Sequence, residues 1–126
     1  MIEMTREVTC KITFIEKEVL GDRRNEETKR AYASRIKADD KADHVEVVKI
    51  RDFVGKKDIT REVHCKITHI YRLAPKLAEQ MLEQGKDQVF RTAYADMIMK
   101  LTGADHVEIT KIRDFVMEVD KKRGKK

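Results

Sequence analysis

An α+β fold built on one four-stranded antiparallel sheet is predicted by three features of this 126-residue chain. The stretch TREVTCKITFI (residues 5–15) returns as TREVHCKITHI (60–70). The stretch ADHVEVVKIRDFV (42–54) returns as ADHVEITKIRDFV (104–116). Between the two blocks of each copy, the hydrophobic period changes from that of a strand to that of a helix. The chain is thus a tandem duplication, with repeat one over 5–54 and repeat two over 60–119. The first block recurs at an offset of 55 residues and the second at 62, so repeat two holds seven additional residues, in or near APKLAEQMLEQGKDQ.

Each element follows from local pattern. Val8, Cys10, Ile12 and Phe14 alternate with Glu7, Thr9, Lys11 and Thr13, as in a half-buried strand. Residues 25–40 are rich in helix formers and carry a narrow stripe of Tyr32, Ala33 and Ile36. HVEVVKIRDFV places Val45 and Val47 in phase, then Val48 and Ile50 out of phase, which calls for a bulge; Val107, Ile109 and Ile112 repeat this. GKKD (Gly55 to Asp58) reads as a tight connection. The next strand buries Val63, Cys65 and Ile67 and shows Glu62, His64, Lys66 and Thr68. Pro75 to Gln84 reads as a short helix with Leu77, Met81 and Leu82 on one side and Gly85 ending it. Phe90, Ala93, Tyr94, Met97, Ile98 and Leu101 then recur at helical spacing, followed by Gly103 at the cap position.

Strand, helix, strand, written twice across a short turn, is the split βαβ pattern called ferredoxin-like, βαββαβ. Right-handed crossovers place the first strand of each repeat at the centre, giving the order 4-1-3-2 with the helices on one face. A unit of about 55 residues buries too little to stand alone. One domain over residues 1–120 is therefore expected, with a core shared by the two copies.

The chain has 28 basic and 23 acidic residues. Its last six, KKRGKK, contribute Lys121, Lys122, Arg123, Lys125 and Lys126, and without them the two signs balance at 23 each. The basic tail over 121–126 reads as a solvated end, or as a grip for phosphate. No apolar run is long enough for a membrane helix, and the start lacks a signal-peptide profile, so a soluble cytoplasmic protein without membrane association is expected. Cys10 and Cys65 hold matched places and read as reduced, buried core residues. Their number and spacing call for neither a metal nor a disulfide framework.

The titratable residues suggest no reaction. His44 and His106 each follow an Asp at a strand start, while His64 and His69 are expected on or near the exposed face of the third strand, with no ligand set converging. Asp43 and Asp105 are expected in helix-exit turns. The glycines are scattered, which excludes a phosphate loop, and the single serine, Ser34, lies in a helix. Asp52 and Asp114, each beside an Arg on an outer strand, read as guards against edge-to-edge pairing. Tyr32 and Tyr94 read as core residues with the hydroxyl at the rim. A non-enzyme without cofactor is the expectation.

Binding is more legible. The outer strands carry Arg51 with Phe53 and Arg113 with Phe115, and the short helix adds Met81 and Leu82. Aromatic and arginine side chains dominate interface energies, and sheet edges offer unpaired backbone groups. A protein partner is expected there, a homodimer through the sheet edges being one form of it. The alternative is nucleic acid held by Lys11, Lys66, Lys111, Lys121, Lys122 and Arg123. RNA-binding sheets stack bases on aromatics of the central strands, whereas the outward positions here are Thr9, Lys11, Thr13, His64, Lys66 and Thr68. An oligomer-forming structural role is the third reading.

The blocks TREVHCKITHIYRLAP and TGADHVEITKIRDFV, in a small charged chain, resemble accessory proteins carried by phages and other mobile elements of bacteria, anti-CRISPR and related anti-defence inhibitors among them. The resemblance is one of size and repeat texture over the whole chain. It implies inhibition by binding a host protein, and no motif transfers a role to any residue.

Overall fold

The computed structural model describes residues 1–17, 21–40 and 42–118, with backbone alone at 38–40. The end of repeat two at residue 119 and the tail residues Lys121, Lys122 and Arg123 lie outside the described residues. The elements are β1 (Ile2–Glu16), α1 (Glu26–Asp40), β2 (His44–Val54), β3 (Ile59–Leu73), α2 (Pro75–Gly85), α3 (Gln88–Thr102) and β4 (His106–Glu118). The strands form one four-stranded sheet in the order β2-β3-β1-β4, antiparallel throughout. Read from the other edge, this is the expected order of strands.

β1 and β3 form the central pair, and Cys10 lies opposite Cys65. Their sulfurs are 3.2 Å apart, both are free thiols, and both are buried. Val8 faces Ile67 and Ile12 faces Val63, so a pseudo-two-fold axis runs through the cysteine pair. Burial alternates along both strands as the period predicts. The buried side joins Tyr32 and Ile36 of α1 and Tyr94 and Ile98 of α3 in one cluster, which places both helices on that side. Burying aliphatic side chains of this kind stabilises the fold by about 1.5–3 kcal/mol each.

The bulges fall where the phase breaks. The β2–β3 register slips between Val47 and Lys49, and the β1–β4 register slips at Thr9 and Cys10, leaving Val48 and Thr110 as the extra residues. Beyond each bulge, Ile50 and Ile112 return to the core side, while Arg51, Phe53, Arg113 and Phe115 project from the side without helices.

Several sequence expectations are corrected. Asp43 and Asp105 do more than end a helix. The Ile70 N–H donates to Asp43 Oδ2 at 2.7 Å, and the Ile15 N–H donates to Asp105 Oδ2 at 2.7 Å, so each carboxylate clasps a central strand of the other repeat. His69 is buried rather than exposed, because it shares the odd-numbered phase of Val63, Cys65 and Ile67; its Nε2 lies 2.7 Å from the Tyr94 hydroxyl. In α2 the buried face is Ala78 and Gly85, flanked by half-buried Met81 and Leu82, while Leu77 is exposed. The stripe on α3 divides into two faces. Tyr94, Ile98 and Thr102 are buried, whereas Ala93, Met97 and Leu101 face solvent. The Asp87 carboxylate accepts the Val89 N–H at the start of α3, and Gly103, at φ 75°, ends it in the left-handed region that favours glycine.

Candidate interaction surface

Asp52 and Asp114 have partners the sequence reading did not foresee. Arg61 Nε and Nη2 donate to Asp52 at 2.8 and 2.9 Å, and Arg6 Nε and Nη2 donate to Asp114 at 2.8 and 3.0 Å. Both guanidinium groups are about 1% exposed. Each Nη2 also donates to a backbone carbonyl, Gly21 O for Arg61 at 2.9 Å and Met81 O for Arg6. Hydrogen bonding to Asp52, aided by the Tyr32 hydroxyl, holds the Arg61 pKa above its ordinary value despite desolvation. The carboxylates are therefore committed to the inner side of the sheet, and the neighbours Arg51 and Arg113 are left free of them. The signal for this was present: Arg6 and Arg61 share the parity of the buried positions.

Arg51 and Arg113 instead lie over the rings of Phe53 and Phe115, with guanidinium carbons 5.2 and 5.0 Å from the centroids. Each phenylalanine is 46% exposed. Phe53 faces Thr60, which faces Ile15; Phe115 faces Thr5, which faces Ile70. Ile15 and Ile70 are themselves exposed. The helix-free face thus carries two matched apolar corners, each an Arg–Phe stack beside an isoleucine.

The centre of that face is occupied by its own charges. Lys11 Nζ is 3.7 Å from Glu62 and 3.3 Å from Glu108, and His64 Nε2 is 3.5 Å from Glu62. Lys66 lies in register between Glu46 and Thr9, and Lys111 opposite Thr9. Cations balanced by local carboxylates attract phosphate weakly. Among the described residues no cluster of His, Cys, Asp and Glu suits a metal ion.

Met81 and Leu82 do not join the two corners. They lie on the helix-bearing side, where the Met81 carbonyl is already used by Arg6. The inserted helix therefore does for Arg6 what the loop at Gly21 does for Arg61, and only part of its surface is left to a partner.

Two grooves run beside the sheet edges. One of about 610 Å³ lies between α3 and β4, and one of about 310 Å³ lies between α1 and β2. Ala95, Val107 and Ile109 line the first, and their counterparts Ala33, Val45 and Val47 line the second. No described helix is long and apolar enough to cross a membrane. Comparison with protein-family models, with curated proteins and with solved structures gives no match.

Proposed function

We propose that the chain is a non-catalytic protein-interaction module of ferredoxin-like topology, which binds through the outer strands of its sheet. The observation that carries this reading is the pair of half-exposed Arg–Phe stacks at matched corners of the helix-free face. A large exposed aromatic costs solvation and adds nothing to the core, and aromatic–arginine pairs are the side chains most often found at the energetic centre of interfaces. Within this class, the narrower reading is an inhibitor of a bacterial defence protein, which rests on size and repeat texture. Nucleic-acid binding ranks below it because Lys11 is held between Glu62 and Glu108.

A capture experiment from bacterial lysate, with salt varied, separates the readings. Phe53→Glu and Phe115→Glu are expected to abolish capture of a protein at unchanged circular dichroism. Binding to nucleic acid that weakens steeply with salt and is lost in Lys11→Glu and Lys66→Glu, while the edge variants bind normally, would reverse the ranking.

A further inference from the structure

The two outer strands have nearly the same sequence and different surroundings. On β2, Val47 and Ile50 are 9% and 4% exposed under α1. On β4, the equivalent Ile109 and Ile112 are only partly buried, and the groove beside them is the larger of the two. Phe115, Val116 and Met117 add three exposed apolar residues near the end of the strand. Among the described residues β4 is paired on one side only, with β1. Its outer backbone groups are open to another strand, and an unpaired edge of this length invites pairing.

Building on the interaction reading above, we propose that the occupant of the β4 edge is the β4 edge of a second copy, paired antiparallel about a two-fold axis between Thr110 and Lys111. The bulge selects this register. Side chains before Thr110 point to the helix-free face at even numbers, and those after it at odd numbers. Face-matched pairing along the whole strand therefore needs partners whose numbers sum to an odd value. Centring on the bulges themselves keeps the count equal on both strands, so the two bulges cancel.

That register also matches chemistry. Glu108 meets the partner's Arg113 and the partner's Glu108 meets Arg113, both on the helix-free face. Ile109 meets the partner's Ile112 on the core side, which covers the half-buried pair that β2 buries by itself. His106 meets the partner's Phe115. Registers centred beyond the bulge match faces only among residues 111–118 and put like charges opposite: a centre at Arg113 faces that residue with its own copy, and a centre at Asp114 does the same. Like charges directly opposite disfavour pairing. The result is a continuous sheet of two copies, with β2 left as each outer edge.

The test is sedimentation of the full chain, whose monomer mass is 14.8 kDa, with two single variants and their mixture. Wild type is expected at twice that mass at high concentration. Glu108→Arg sets arginines opposite each other and Arg113→Glu sets glutamates opposite each other, so each alone is expected to weaken association by roughly tenfold or more. Mixed one to one, the two variants carry complementary edges and are expected to recover dimers. Both side chains are exposed, so circular dichroism should be unchanged. A wild-type monomer at high concentration overturns the proposal, as does a dimer that neither variant weakens, or a mixture no stronger than its components. The broader reading is judged separately by Phe53→Glu on the far edge, which this interface does not touch.

Discussion

Arg6 and Arg61 are buried guanidinium groups, and a buried ion is tolerated only where its partners replace the lost water. Each is held by one carboxylate and one backbone carbonyl from the other repeat. Removing a partner is far costlier than removing the pair. Asp114→Ala and Asp52→Ala are each expected to lower stability by about 3–5 kcal/mol in urea unfolding, whereas Arg6→Met combined with Asp114→Leu should recover most of the loss. Full stability in Asp114→Ala would mean that the ion pair contributes nothing. Cys10 and Cys65 behave differently, being small apolar groups in contact at the core's centre. Both are about 1% exposed, so the thiols should react with a disulfide reagent only as fast as the chain unfolds. Replacing both with Val should cost at most about 1–2 kcal/mol per site. Rapid thiol titration in the native state would contradict the burial.

At the scale of elements, strands were legible because period two is a strong signal, and even the bulges appear as a phase break at Val48 and Thr110. Polar residues inside that period break the signal, because their type and their parity disagree. Arg6, Arg61 and His69 all have buried phase, and their charge or polarity concealed it. The stripe on α3 failed for another reason: six apolar residues cover more of a helix than one contact face, and only the neighbouring elements decide which of them is covered. The inserted helix was legible as a helix, but its reason was not, since the carbonyl that reaches Arg6 is a backbone group. Gly85 records that approach. A Cβ there would lie 2.7 Å from Arg6 Nη2 and 3.1 Å from Asp114 Oδ2. Gly85→Ala is therefore expected to destabilise by about 1–3 kcal/mol although alanine is the better helix former. In an Arg6→Met background the penalty should largely vanish, and a double-mutant cycle reading no coupling would remove Arg6 from the explanation.

For the whole molecule, the pairing pattern sets what half of it can do. β1 and β2 belong to repeat one, yet β3 lies between them in the sheet; β3 and β4 are likewise separated by β1. Each repeat alone therefore has two strands and no ladder joining them. The clasps also cross between repeats: Arg61 to Asp52, Arg6 to Asp114, Ile70 to Asp43 and Ile15 to Asp105. A peptide of residues 1–57 is thus expected to be unfolded as a monomer, since it can satisfy neither its backbone nor its Arg6. Two copies of that peptide can satisfy both, because repeat one carries Arg6 as well as Asp52, Ile15 as well as Asp43, and a Cys10 that would face its own copy across the axis. Its circular dichroism should therefore gain strand signal with concentration, in step with a doubling of sedimenting mass. Mixing 1–57 with 58–126 should restore the folded pair, in which Arg6 regains the Met81 carbonyl. A 1–57 peptide that folds at the monomer mass would show that the repeat holds together without the interleaved strand, and the cross-repeat clasps would lose their place as the cause of cooperativity.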